Sequence, residues 1–200
     1  SIRDKYILSG KLLCDCYYKA EINNGIVITE GLFISPYEAP DTNRSFLKDL
    51  PADCISVFKK SFNWMMNRLS NEETNQKVIF EDHMNTYFFL YPNICKINNK
   101  AYYIMSDKFL PIVEMYKQRI EALNLDLNIL YMVNSSYEYP LKDGCIDIFL
   151  DFFTSNKFNF IEKYYYLDKI SHLFNNKSKV IGTYFYYKNK NKSVKEAIKQ

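Results

Sequence analysis

The sequence of 200 residues predicts an α/β fold, a doubly wound and mostly parallel sheet with helices on both faces, preceded by a small β-hairpin and a helix. Three observations predict it. Beyond residue 75, short apolar runs rich in β-branched and aromatic residues alternate with longer helical patterns, as parallel strands and their crossovers require. Two of those runs, IFED at residues 79–82 and YYIMSD at 102–107, end in acids where an open parallel sheet has its crevice. Near the amino terminus, Asn23-Asn24-Gly25 separates two strand-like segments, and Asn-Gly tolerates the positive φ of a tight hairpin.

Taken in order, residues 12–29 carry the hairpin, and Pro36, Pro40 and Pro51 mark 31–51 as an irregular connection. Pro51 opens a helix over 51–69, with Ile55, Phe58, Phe62, Met65 and Leu69 recurring on one face. Strands are expected at 77–82, 101–107, 128–135, 146–153 and 180–187. The intervening helices are expected at 85–97, interrupted by Pro92, at 108–124 with Pro111 near its start, and at 160–174. Residues 193–200 begin one more helical pattern. The organisation is therefore an amino-terminal segment, 1–50, followed by an α/β domain, 51–200.

Composition excludes several classes. Hydrophobic residues at 48% and charged residues at 24% belong to a globular chain able to bury a full core. The net charge of +3, from 26 basic and 23 acidic residues, is too mild to argue for nucleic acid. Cys14, Cys16, Cys54, Cys95 and Cys145 are odd in number and scattered, which points to a reducing cytoplasm rather than a disulfide framework. No stretch has the length or apolarity of a membrane span, so no membrane partner is expected. The first residue is Ser1, consistent with a removed initiator or with a piece of a longer chain.

The series of strand ends resembles class I S-adenosylmethionine-dependent methyltransferases over roughly residues 75–190. Glu81 in IFED matches the acid at the end of that family's first strand. Asp107 in YYIMSD matches the acid that holds the ribose hydroxyls, about twenty-five residues further on. The run MVNSSYEYPLKDGCIDIFLDFF, 132–153, is similar to the link between third and fourth strands, and KVIGTYFYY, 179–187, to the fifth. The resemblance implies S-adenosylmethionine as cofactor, with Glu81, His83, Asn85, Asp107, Asn134 and Ser135 along its binding crevice. One departure counts heavily. Where the family has three glycines that let the backbone approach the cofactor, KVIFEDHMNTY holds His83, Asn85 and Tyr87. Those side chains either border a cofactor or fill the vacated pocket.

Asp151 ends the fourth strand, in phase with Asp147 on the same face. It is the candidate for an acid, base or substrate-orienting group; otherwise it caps the strand or binds loop amides. DFFTS at 151–155 lacks the prolines that orient an amino nucleophile in some family members. Only His83 and His172 exist, which leaves little for a histidine-based catalytic set. Tyr164, Tyr165, Tyr166 and the run from Tyr184 to Tyr187 read as alternating core and rim positions or as a stacking surface for bases.

Residues 11–29 resemble a degenerate zinc ribbon of some RNA guanine methyltransferases, but Cys14 and Cys16 stand too close and lack partner ligands, so no metal is expected. A metal-free hairpin packed on helix 51–69 is the expectation. The whole arrangement also resembles domains fused behind the DNA-binding regions of MerR-family regulators in low-GC bacteria. That implies a cytoplasmic ligand-binding or regulatory domain of a transcription regulator. It would take a small-molecule ligand and reach DNA only through a region outside this sequence. The alternative is an active methyltransferase acting on a small molecule or RNA. A homodimer through an exposed sheet edge or the hairpin is a further expectation; the final antiparallel strand pair usual in this fold is expected to be either missing or supplied elsewhere.

Overall fold

The computed structural model describes residues 2–3, 6–14, 18–29, 52–84, 88–134, 139–157 and 165–185. The chain opens with a two-stranded antiparallel pair, β1 (Ile2–Arg3) and β2 (Tyr6–Ile7). Then come β3 (Ser9–Leu13), β4 (Lys19–Asn23), β5 (Ile26–Thr29) and helix α1 (Ala52–Ser70). The α/β part follows as β6 (Val78–Glu81), β7 (Tyr102–Asp107), α2 (Leu110–Glu121), β8 (Asn128–Val133) and β9 (Ile146–Phe152). It closes with two short helices, α3 (Thr154–Lys157) and α4 (Tyr166–Ile170), and with β10 (Phe174–Thr183).

One sheet of eight strands runs in the order β10-β9-β6-β7-β8-β5-β4-β3. From β10 to β5 every pairing is parallel, and β4 and β3 complete the sheet antiparallel. The chain runs outward from β6 through β7 to β8, then returns to β9 on the other side of β6. The switch between β6 and β9 leaves a crevice at the carboxyl ends of those strands.

Two cores form, one on each face. Ile79, Met105, Ile148 and Leu150 pack with Met65 and Leu69 of α1 and with Val113 and Ile120 of α2. Phe80, Ile104, Met132 and Phe149 pack on the other face with Tyr139, Tyr166, Ile170 and Leu173. Alternating side chains dictate this division, because successive residues of a strand point to opposite faces. Helix α1 follows the predicted stripe: Met65 and Leu69 are buried and Phe58 and Phe62 half-buried, with Met65 Sδ 3.7 Å from Thr183 Oγ1 of β10. Fully burying one such side chain is worth roughly 1.5–3 kcal/mol. Among the described residues, no helix is long and apolar enough to cross a membrane.

The hairpin forms as expected, with Asn24 at φ 48° and Gly25 at φ 72° joining the Asn23–Ile26 pair. Its packing differs from the expectation. It extends the sheet beyond β8, while α1 lies at the opposite edge beside β10. The reason is edge satisfaction: Ile26, Val27 and Ile28 take parallel register with Tyr131, Met132 and Val133, which pairs backbone groups that β8 would otherwise expose. Two helices are also shorter than expected. In place of a helix at 88–97 there is a single 3-10 turn, Tyr91–Asn93, at Pro92. At 166–174, α4 gives way to a 3-10 turn, and Phe174 already belongs to β10. The strand starts six residues early because a bulge absorbs Asn175 to Ser178: the Asn175 N–H donates to Ser178 Oγ at 2.8 Å, and the Lys177 N–H to Asn175 Oδ1 at 2.8 Å. The expected segments at 31–51, 158–164 and 193–200 lie outside the described residues.

Candidate functional site

The strand-end crevice is built by neighbouring acids that point to opposite faces. Glu81, the last residue of β6, turns toward the α1 and α2 face and is buried. Its carboxylate accepts the backbone N–H groups of Phe89 at 2.5 Å and Leu90 at 2.8 Å. Those two amides are thereby withdrawn from helix formation, which with Pro92 explains the missing helix. Burial pushes the Glu81 carboxyl up to about 8; the two amide hydrogen bonds oppose that rise and the charge of Asp82 adds to it.

Asp82 turns to the other face and becomes the hub of a buried network. Its carboxylate accepts the hydroxyls of Ser106, Tyr139 and Tyr166, the last at 2.5 Å, and His83 Nε2 stands 3.0 Å from Oδ2. Burial alone would raise this carboxyl, but the His83 charge and hydrogen bond, with those from Ser106 and Tyr139, outweigh it and hold it at about 2. Burial and the adjacent Asp82 charge push both tyrosine hydroxyls well above their usual range. The network continues sideways. Asn134, just past β8, hydrogen-bonds the Tyr139 hydroxyl, and Thr29 Oγ1 at the end of β5 donates to Asn134 Oδ1 at 2.8 Å. Thr29 lies 3.2 Å from the Val133 carbonyl as well, so the hairpin is bound into the strand ends.

His83 has φ 60°, a left-handed conformation that a non-glycine residue adopts at a cost. At that position the chain carries a buried imidazole on a backbone conformation that glycine adopts freely. Asp107 ends β7 fully buried, and its carboxylate accepts the Phe109 N–H at 3.0 Å, turning the chain into α2. Asp151 is likewise buried: it accepts the backbone N–H of Ser155 at 3.0 Å, the Ser155 hydroxyl and the Tyr184 hydroxyl. Burial raises its carboxyl despite those bonds. A Cβ at Gly182 would lie 2.6 Å from the Tyr184 hydroxyl, so only glycine leaves room for it over Asp151. Phe153 follows at φ 60°, stacked on Phe185 at 4.4 Å between ring centres.

The structure therefore brings Glu81, His83, Asp107, Asn134 and Asp151 to one end of the sheet, while Asn85, Ser135 and Tyr87 lie outside the described residues. Asp147 sits at the other end of β9, accepting the Val78 N–H at 2.9 Å and Lys77 Nζ at 3.2 Å. His172 is exposed, with Nδ1 3.0 Å from the Lys169 carbonyl. Tyr166 is buried and Tyr165 exposed, an alternation of core and rim. Sequence reasoning missed Asp82, Ser106, Tyr139, Tyr166 and Thr29. The available signal was the phase of β6 and β7, which puts Asp82 and Ser106 on a common face. Among the described residues, no three metal-ligating side chains cluster.

Fold and strand ends together define a methyltransferase-like α/β domain with a mixed eight-stranded sheet. No protein-family model and no curated protein matches the chain. Solved structures similar to it include three methyltransferase-fold examples. One is an S-adenosylmethionine-dependent methyltransferase from Aquifex aeolicus, at TM-score 0.50 and 14% identity over 76% of this chain and 78% of that one. Another is the MccD protein, at TM-score 0.51 and 16% identity over 68% of this chain and 57% of that one. The third is geranyl diphosphate C-methyltransferase from Streptomyces coelicolor, in complex with Mg2+, geranyl-S-thiolodiphosphate and S-adenosyl-L-homocysteine, at TM-score 0.51 and 10% identity over 76% of this chain and 56% of that one. At these identities the likeness is one of fold, and the chain spans little more than half the length of the latter two.

Proposed function

We propose that this chain is a ligand-binding or regulatory domain on a methyltransferase scaffold that no longer uses S-adenosylmethionine. One observation carries the reading. The two acids that would face an adenosyl group are turned into the fold: Glu81 and Asp107 are 2% and 0% exposed, and both hold backbone amides of their own chain. The Asp107 carboxylate is fully buried and already holds the Phe109 amide, so a ribose would reach it only by opening the packing around it. The His83 side chain adds bulk where close backbone approach is needed. The described residues therefore do not fit the cofactor. As an effector domain, the chain would pass ligand binding on to a DNA-binding region outside this sequence.

The competing reading, an active methyltransferase for a small molecule or RNA, draws support from the left-handed turn retained at His83. Calorimetry separates the two. S-adenosylmethionine and S-adenosylhomocysteine are expected to release no binding heat. Tight binding of S-adenosylhomocysteine that disappears in Asp107→Ala would overturn the regulatory reading in favour of the enzyme.

A further inference from the structure

Away from the crevice, a groove of about 1120 Å3 opens between the hairpin, the segment before it and the carboxyl-terminal half of α2. We infer that it binds a small amphipathic anion, an alkyl chain bearing one carboxylate, with Lys117 receiving the head group. Its size lies slightly above the roughly 300–1,000 Å3 range of small-molecule pockets. Ile22, Val27, Ile120 and Leu127 are among its apolar lining. The mouth is apolar too: Ile7, Leu12, Leu125 and Leu130 all line it and are each more than a third exposed. Side chains of this kind gathered in one concavity mark a binding surface rather than scattered surface residues.

Lys117 supplies the second, independent observation. It occupies the buried stripe of α2 with Leu110, Val113 and Ile120, where the helical period calls for an apolar residue, and it is only 7% exposed. Its stem passes the hairpin turn, where a Cβ on Gly25 would lie 3.4 Å from Lys117 Cε. Its ammonium lies 6.0 Å from the centre of the Tyr131 ring and meets Glu121 Oε1 at 2.5 Å. Glu121 is 57% exposed in its side chain, so it can return to water while an incoming carboxylate takes its place at the ammonium. Asp126 is the other charged group of the lining. Once Glu121 has turned to water, Asp126 disfavours a second negative charge on the head. The alkyl chain then covers the apolar walls, each buried methylene adding to the affinity.

This inference stands on a different site from the crevice, so S-adenosylhomocysteine binding would leave it untouched. Calorimetry with laurate on the full chain, below its micelle concentration, is expected to show saturable one-site binding. Lys117→Met, which suits a buried stripe, should weaken laurate at least tenfold and leave dodecanol unchanged. Leu12→Glu, at the exposed rim, should abolish both and keeps the test decisive if the Lys117 variant does not fold. The inference is overturned by an absence of saturable laurate binding, by wild-type affinity in Lys117→Met, or by dodecylamine binding more tightly than laurate, which would mean that Glu121 and Asp126 read the head.

Discussion

The strand-end crevice and the hairpin groove are opposites built on one sheet. In the crevice, Glu81, Asp82, Asp107 and Asp151 are all buried, and each is met by donors from its own chain. In the groove a single buried ammonium sits among apolar walls, paired with a carboxylate that is mostly in water. The difference teaches where a ligand could be accommodated. A buried acid that holds donors of its own chain stabilises the fold but is closed to a visitor, whereas an open apolar wall with an exchangeable charge partner is not.

Asp82→Ala strikes the crevice hardest. It leaves the Ser106, Tyr139 and Tyr166 hydroxyls buried without their acceptor, and a loss of about 3–5 kcal/mol is expected in urea unfolding. Near wild-type stability would dissolve the contrast between a sealed crevice and an open groove.

Glu81→Gln comes next, and its signature is a pH profile. The Glu81 carboxyl is raised to about 8, so its contribution is fully present below about 4.5 and is lost as pH rises through 8. Asp82 behaves in the reverse sense: held at about 2, it contributes above its ordinary 3.8 and loses that contribution as pH falls toward 2. Wild-type stability should therefore fall on both flanks. The glutamine variant should keep the acid flank and lose the alkaline one, a gain on the order of 5 kcal/mol at pH 9. Thermal melts from pH 3 to 9 check it, and an unchanged alkaline flank would mean that Glu81 is ionised in the folded state.

Tyr139→Phe removes one charge-assisted hydrogen bond and one partner of Asn134, for an expected loss of about 2 kcal/mol. Smallest is Thr29→Val, of similar shape but without the hydroxyl that reaches Asn134, at about 1 kcal/mol. Hydrogen exchange should show β5 and β4 losing protection before β6 does. Uniform loss across the sheet would show that the hairpin is held by its strand pairing alone.

Much of the scaffold was legible in advance. The apolar runs at β6, β7, β8 and β9 have no competing period, and the Asn-Gly turn has one favoured geometry, so their places followed from local rules. The misreadings have a common cause. The periodicity at 88–97 and 166–174 is compatible with helix, but Glu81 captures the Phe89 and Leu90 amides, and β9 captures Phe174 opposite Ile146. Long-range partners of that kind leave no local mark.

The amino-acid order alone determined the strand series, the acids at the strand ends and the side chains His83, Asn85 and Tyr87 in place of glycines, because each depends on neighbours within a few residues. Tertiary structure alone decided that Asp82 gathers donors from β7, α4, its own turn and the loop before β9, and that the hairpin joins the β8 edge. A buried carboxylate takes whichever hydroxyls the fold delivers, and an open strand edge takes whichever strand comes into register. Both are settled by distances between residues far apart in the chain.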